Sequence, residues 1–276
     1  MALISAGHRF GWPVPRGGSR AITDALAAEL VAHGGTIETG VRVRSLADLP
    51  PAQTVLLNLA PAAVVALAGD RLPDRVRRAY LRYRHGPAAF KVDLAVEGGV
   101  PWVNEDCRRA GTVHPMGTLE EQIVAERDVD RGRMPERPVV LVSQQYLADS
   151  SRSAADVHPI WAYAHVPHGY EGDATQATLG QIERFAPGLR ERIVGMAVRS
   201  PAQIEAANAN FVGGDIITGA NGVLQTLLRP RIALDPYSTG IPGVFICSAA
   251  TPPGGGVHGM GGANAARSAL RRLGVA

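Results

Sequence analysis

The segment Gly254-Gly255-Gly256-Val257-His258-Gly259 constrains this chain more than any other feature. It lies between a strand-like run, Val244 to Cys247, and a helix-like run, Ala263 to Leu273. Its spacing fits GxGxxG, the strand-to-helix turn on which a dinucleotide's phosphates can rest. Position argues against a complete Rossmann unit. The chain reaches Ala276 before the spacing of about 20 residues at which a second strand and a ribose-holding acid are expected. The physics of such a loop holds regardless. Backbone without side chains lets a planar ligand approach, and free N–H groups at a helix start favour negative charge.

Hydrophobic periodicity organises the rest. Val14-Pro15-Arg16-Gly17-Gly18-Ser19 is turn-forming and ends on an N-cap residue. Ile22, Leu26 and Leu30 then recur at helical spacing until Gly34-Gly35 stops the helix. Thr36 to Glu38 and Val41 to Arg44 alternate as short strands, Thr54 to Leu59 is a continuous apolar strand, and a small-residue helix covers Ala62 to Leu67. From Pro73 onward a helix over Asp74 to Tyr83 precedes strands at Phe90 to Val96, Val139 to Gln144 and Ile160 to Val166. Long polar connections separate those strands. A helix over Thr175 to Phe185 and a strand over Ile193 to Val198 follow, and then an irregular glycine-rich excursion from Phe211 to Gly222.

Composition narrows the function classes. Hydrophobic residues at 46% and charged residues at 19% of 276 describe a globular chain rather than a disordered or coiled-coil one. With 32 glycines and 20 prolines, the chain needs many tight turns. The net charge of +3 does not mark a nucleic-acid binder: Lys91 is the only lysine, the arginines are scattered, and no basic stripe is interleaved with aromatics. Cys107 and Cys247 form no CxxC, so the expectation is two reduced thiols, one of them buried. His158, His165 and His168 are close in sequence, with Glu171 and Asp173 beyond them, but lack ligand spacing; no metal is expected. The N-terminus shows no signal-peptide pattern, and the run Val55 to Gly69 is too short and broken to span a bilayer. A cytoplasmic protein is expected.

The tail from Cys247 through Gly262 with Ala265-Ala266 resembles the C-terminal flavin-contacting motif of phytoene-desaturase-like FAD oxidoreductases. Pro15-Arg16-Gly17-Gly18 with its helix, Gly34-Gly35 and Val41 to Leu46 resemble that family's mid-chain segment. Lys91-Val92-Asp93, Ala110 to His114, Trp161 to Gly169, and Asn208-Ala209-Asn210 with Gly213-Gly214-Asp215 resemble its phytoene-dehydrogenase-like branch. The likeness runs along essentially the whole chain and corresponds to the C-terminal half of such an enzyme. Residues 1–13 hold none of the family's initial strand, GxGxxG and helix.

The resemblance implies an α/β fold: a partial FAD-binding layer of the Rossmann-like, glutathione-reductase type from residues 1–72 and 235–276, with a β-rich α+β substrate domain, 73–234, inserted. It implies that Gly17 and Gly18 lie near the flavin ring and that the Val43 backbone faces the adenine. Ser248 and Ala249 would run beside the ribityl and phosphate groups, with Gly255, Gly256, Val257, His258, Gly259 and Met260 at the pyrimidine end of the ring. His258 is the catalytic candidate, because an imidazole there can donate a hydrogen bond or move a proton; the alternative is a loop histidine satisfied by backbone. The implied activity is FAD-dependent desaturation, dehydrogenation or isomerisation of an apolar, possibly polyene, small molecule. FAD binding by the chain alone is expected to be weak or absent. A partner chain carrying the N-terminal FAD-binding half is one reading, and a non-catalytic remnant, a homo-oligomer or a flavin cleft used for non-redox cyclisation are others.

Overall fold

The computed structural model describes residues 2–275. Its fold is α/β. Helices α1 (Ala2–Phe10) and α2 (Arg20–Ala32) come first, then strand β1 (Val55–Leu57), α3 (Pro61–Ala68) and α4 (Asp74–Leu81). The central segment holds β2 (Ala88–Glu97), α5 (Glu105–Arg109), β3 (Thr112–Val113), α6 (Leu119–Asp130), β4 (Val140–Ser143), β5 (Val157–Val166), α7 (Thr175–Glu183), β6 (Ile193–Arg199), α8 (Pro201–Ala207) and α9 (Val223–Leu228). Strand β7 (Val244–Ile246) and α10 (Met260–Leu273) complete it.

Two sheets divide the work. β1 and β7 pair in parallel with Leu57 opposite Ile246, and 188 intervening positions separate those partners in sequence, so one layer joins segments far apart in the chain. On one side of it Leu57, Val64, Leu67, Val76, Tyr80 and Ile246 form a core; on the other, Tyr237 and Phe245 pack against Ala265 and Ala269 of α10. This is a helix–sheet–helix sandwich reduced to two strands. The second sheet is antiparallel in the order β3-β4-β5-β2-β6. Alternation along β2 from Phe90 onward and along β5 from Ile160 onward sends Phe90, Val92, Leu94, Ile160, Ala162 and Ala164 to a core that Leu179 and Ile182 of α7 close. The other face of β5 carries a stacked ladder, Trp161, Tyr163 and His165, with ring centroids 6.1 and 5.9 Å apart.

Several local expectations change. Thr36 to Glu38 and Val41 to Arg44 are not strands; alternation gives a segment two faces, but a ladder needs a neighbouring strand, and among the described residues none pairs with either segment. The polar connection between β2 and β4 contains α5, β3 and α6, and α6 is fixed by a capping box in which Thr118 and Glu121 exchange hydrogen bonds with each other's backbone N–H. Helix α9 follows the glycine-rich stretch, which is itself irregular apart from a single turn at Val212–Gly214. The last helix begins at Met260 rather than Ala263, because Gly259 adopts the left-handed conformation that starts it. Cys107 and Cys247 are both half-buried rather than one being buried. The helix stop at Gly34-Gly35 is as expected: Gly34 at φ 79° lets the Gly35 N–H donate to the Leu30 carbonyl at 2.9 Å.

Candidate functional site

The glycine loop leaves β7 through a tight turn in which the Ser248 carbonyl accepts from the Thr251 N–H at 3.0 Å and its hydroxyl at 2.8 Å. Ser248 is buried, and its Oγ accepts from the Ala250 N–H. Gly254 follows at φ 109°, and a Cβ added there would sit 2.9 Å from a guanidinium nitrogen of Arg229. A Cβ on Gly255 would sit 2.8 Å from the Ile217 carbonyl oxygen. Bare backbone is therefore a packing requirement here, independent of any ligand. Among the described residues, nothing accepts from the N–H groups of Gly255, Gly256, Val257, His258 and Gly259. Val257 stands in solvent at the tip.

His258 is tied to the helix start. Its Nδ1 accepts from the Met260 N–H at 3.0 Å, so the neutral ring carries its proton on Nε2 and presents that nitrogen as a donor. That geometry is a cap, and it leaves one donor free.

Val257 and the first turns of α2 face one open cleft of about 590 Å³, lined by Ser19, Arg20, Ile22, Thr23 and Asp24. The structure thus brings the start of α2 to the glycine loop. Gly17 and Gly18 lie one turn earlier, anchored from elsewhere: the Gly17 N–H donates to Asp149 Oδ2 at 2.8 Å, and Arg152 lies against Gly18. Val43 packs its side chain on the core around Val64.

A second and larger cavity, about 950 Å³, is lined in part by Ile217, whose carbonyl packs against Gly255 of the loop. Tyr163 and His165 of the aromatic ladder line it, with Tyr83, His85, His168 and Glu126. Asp215, with no solvent exposure of its side chain, organises one wall. It accepts from the N–H groups of Gly86 (2.8 Å), Ile217 (3.0 Å), Thr218 (3.1 Å) and Gly219 (2.6 Å). His85, which lines the cavity, has its Nδ1 3.4 Å from Asp215 Oδ2, within ion-pair distance but without an aligned hydrogen bond. Burial pushes the Asp215 carboxyl up, but His85 and the N–H groups of Gly86, Gly219 and Ile217 outweigh it and hold it below the ordinary carboxylate value. His168 stacks on His85 at 6.0 Å and donates from Nδ1 to the Gly86 carbonyl. Tyr83 donates to the Thr218 carbonyl, and burial pushes its phenol up to about 12, with Arg229 opposing and Asp215 adding to the shift. His165 is held by Glu126 at 2.6 Å.

Sequence reading names the loop and misses Tyr83, His85, Asp215 and Arg229 as site residues. One signal was present. Asp215 follows two glycines and is followed by Ile217, Thr218 and Gly219, whose N–H groups an Asp side chain can gather into an Asx turn.

No family model matches the chain. It is 23% identical over 318 aligned positions to the rat protein "Pyridine nucleotide-disulfide oxidoreductase domain-containing protein 2", covering 97% of this chain and 52% of the relative. A mouse protein of the same name is 32% identical over 93 residues, and an uncharacterised protein of Mycobacterium tuberculosis is 24% identical over 312, covering 95% of this chain and 56% of its own. Among solved structures, an oxidoreductase from Methanosarcina mazei aligns over 98% of this chain and 58% of its own, with a TM-score of 0.63 at 18% identity. The chain spans about half the length of the curated relatives it matches over nearly its whole length. The likeness to the solved oxidoreductase shows a shared α/β fold.

Proposed function

We propose that this chain forms the ring-facing half of an FAD-dependent oxidoreductase and acts on a small molecule held in the 950 Å³ cavity between the glycine loop and the β5 aromatic ladder. The observation that carries the reading is the loop itself. Its backbone donors from Gly255 to Gly259 have no acceptor among the described residues, and a buried guanidinium lies behind it. These features suit a flat, negatively charged group, which is the character of a flavin and its diphosphate. Bound there, the flavin would supply the hydride acceptor.

The chain's own residues divide in role. Gly255 to Gly259 would offer N–H groups to the cofactor, His258 Nε2 one further donor, and the helix start at Met260 a positive dipole end. Ser248 and Ala249 would border its sugar-phosphate side, and Gly17, Gly18 and Val43 complete the binding surface that the family likeness suggests. On the substrate side, His85 oriented by Asp215 is placed to take up or return a proton, and the half-buried ladder gives an apolar, hydrocarbon-tolerant floor. Segment 73–234 is then the substrate-side unit, with 1–72 and 235–276 the cofactor-side unit.

A partner polypeptide that supplies a dinucleotide-binding half belongs to the same proposal. The described chain exposes 16602 Å² where a folded monomer of 29.0 kDa averages roughly 11,000 Å². The excess includes the apolar side of α2: Ile22, Leu26, Leu30 and Val31 are exposed and no residue of that helix is buried. No helix among the described residues is long and apolar enough to cross a membrane, so a bilayer-spanning role does not account for that surface. Calorimetric titration of FAD into the chain, with and without a dinucleotide-binding half in trans, tests the proposal. Binding that stays absent in both arms overturns it.

A further inference from the structure

We propose that Arg229 and the Gly254–Gly259 loop form an anion site of their own, one that takes a phosphate-bearing ligand. Arg229 is 4% exposed, yet it pairs with no carboxylate among the described residues. Its one hydrogen bond, Nη1 to the Ala249 carbonyl, is stretched to 3.5 Å, and its buried Nε has no partner. Arg152 and Arg231 also carry a buried Nε without a partner, but both are more exposed and make firmer contacts: Arg152 lies 3.6 Å from Asp149, and Arg231 donates to the Ser238 carbonyl at 2.8 Å. Burying an uncompensated charge is among the costliest things a fold can do, so a retained one calls for a counter-charge.

No carboxylate among the described residues lies within ion-pair distance to supply that counter-charge. Gly254 occupies the space directly over Nη1, the position of its absent Cβ being 2.9 Å away. Beyond it run five backbone N–H groups without acceptors and then the start of α10, a helix of 14 residues. The guanidinium and these donors thus lie along one short stretch of loop, with no carboxylate among the described residues paired to any of them. A guanidinium fork and a row of N–H groups match phosphate oxygens in both charge and geometry. The flavin reading bears only on which phosphate is bound: that of a dinucleotide or a free one.

Thermal unfolding of the full chain tests this with inorganic pyrophosphate as the probe, against chloride at matched ionic strength. At about ten times its dissociation constant, pyrophosphate should raise the Tm by about 3 °C. Arg229→Met should abolish that rise and melt no lower than wild type without ligand, since it removes an unpaired buried charge. Arg229→Lys, which keeps the charge but not the fork, should retain part of the rise. No rise in wild type, or an equal rise in R229M, overturns the proposal. So does an R229M chain that unfolds while R229K folds and shows no response. Parallel arms with FAD, with and without a dinucleotide-binding half in trans, separate the two readings. A response to pyrophosphate but to FAD in neither arm removes the cofactor assignment and leaves the anion site standing.

Discussion

The five-stranded sheet and the β1–β7 layer solve the same problem to different degrees. In the first, α7 covers the apolar face and β2 is paired on both sides, so Val92, Val96, Ala162 and Ala164 lose essentially all solvent contact. In the second, two three-residue strands carry a core of comparable chemistry, while α2, Trp12, Ile37 and Val41 stand exposed around it. Sequence patterning in both regions is that of buried elements. The difference teaches that an amphipathic helix declares which face wants burial without saying that this chain supplies the cover. Where the cover comes from within, the core is closed; where it does not, apolar surface stays open.

Supplying the cover should produce the largest effect. If the exposed layer is the seat of a dinucleotide-binding half, that half adds charge-assisted hydrogen bonds to the diphosphate beyond those the Gly254–Gly259 loop offers. Two or three such bonds at about 1.5–3 kcal/mol each correspond to about 10³-fold or more in affinity for FAD. Calorimetry reads it directly, and a sub-micromolar dissociation constant for the chain alone breaks the comparison.

Next in size is a cut inside the closed core. Phe90 is 2% exposed on β2, opposite Ala164. Phe90→Ala should cost about 3–5 kcal/mol in urea unfolding. A loss below about 1 kcal/mol would mean that this core is as loosely held as the other layer.

The extent to which the sequence disclosed all this follows the range of the interactions. Helices α2, α3, α4 and α7 and strands β2, β4, β5, β6 and β7 are legible because periodicity and stop signals such as Gly34-Gly35 are local. Helix α6 was legible in principle from Thr118 and Glu121, a spacing that sets a helix start without any long apolar face. Thr36 to Glu38 and Val41 to Arg44 mislead because alternation is local while pairing is not. Within the site, the glycine loop is a contiguous string and so is readable. The Asp215–His85 contact joins residues 130 positions apart, and Arg229 is informative only through what is missing around it, which no string of letters displays.

Asp215 offers a smaller test of the closed region's wall. Its carboxyl is held below the ordinary value of 3.8, so its stabilising contribution is fully present above that pH and is lost as pH falls through the lower folded value. Asp215→Asn keeps an acceptor oxygen for part of the N–H cluster but removes the charge. It should cost about 1–3 kcal/mol at pH 7, and the deficit relative to wild type should shrink below about pH 4. A deficit independent of pH would show that shape, not charge, holds the 84–88 and 215–220 segments together.

The smallest effect on the chain itself should come from Leu26→Lys. Leu26 is 67% exposed in the middle of α2, touches no core, and both residues are good helix formers. The new ammonium would lie one turn from Glu29 and away from Arg20, a favourable i,i+3 placement worth a few tenths of a kcal/mol at most. Unfolding free energy should therefore change by no more than about 0.5 kcal/mol. The same substitution places a charge in the centre of the apolar stripe that Ile22, Leu30 and Val31 complete. A partner seated there would have to desolvate it, so association should weaken about tenfold or more while FAD-independent stability stays constant. Measuring both quantities on one variant separates a helix that is exposed by design from one that awaits a cover: unchanged association would assign the stripe to solvent, and a large loss of intrinsic stability would show that α2 is already packed against its own chain.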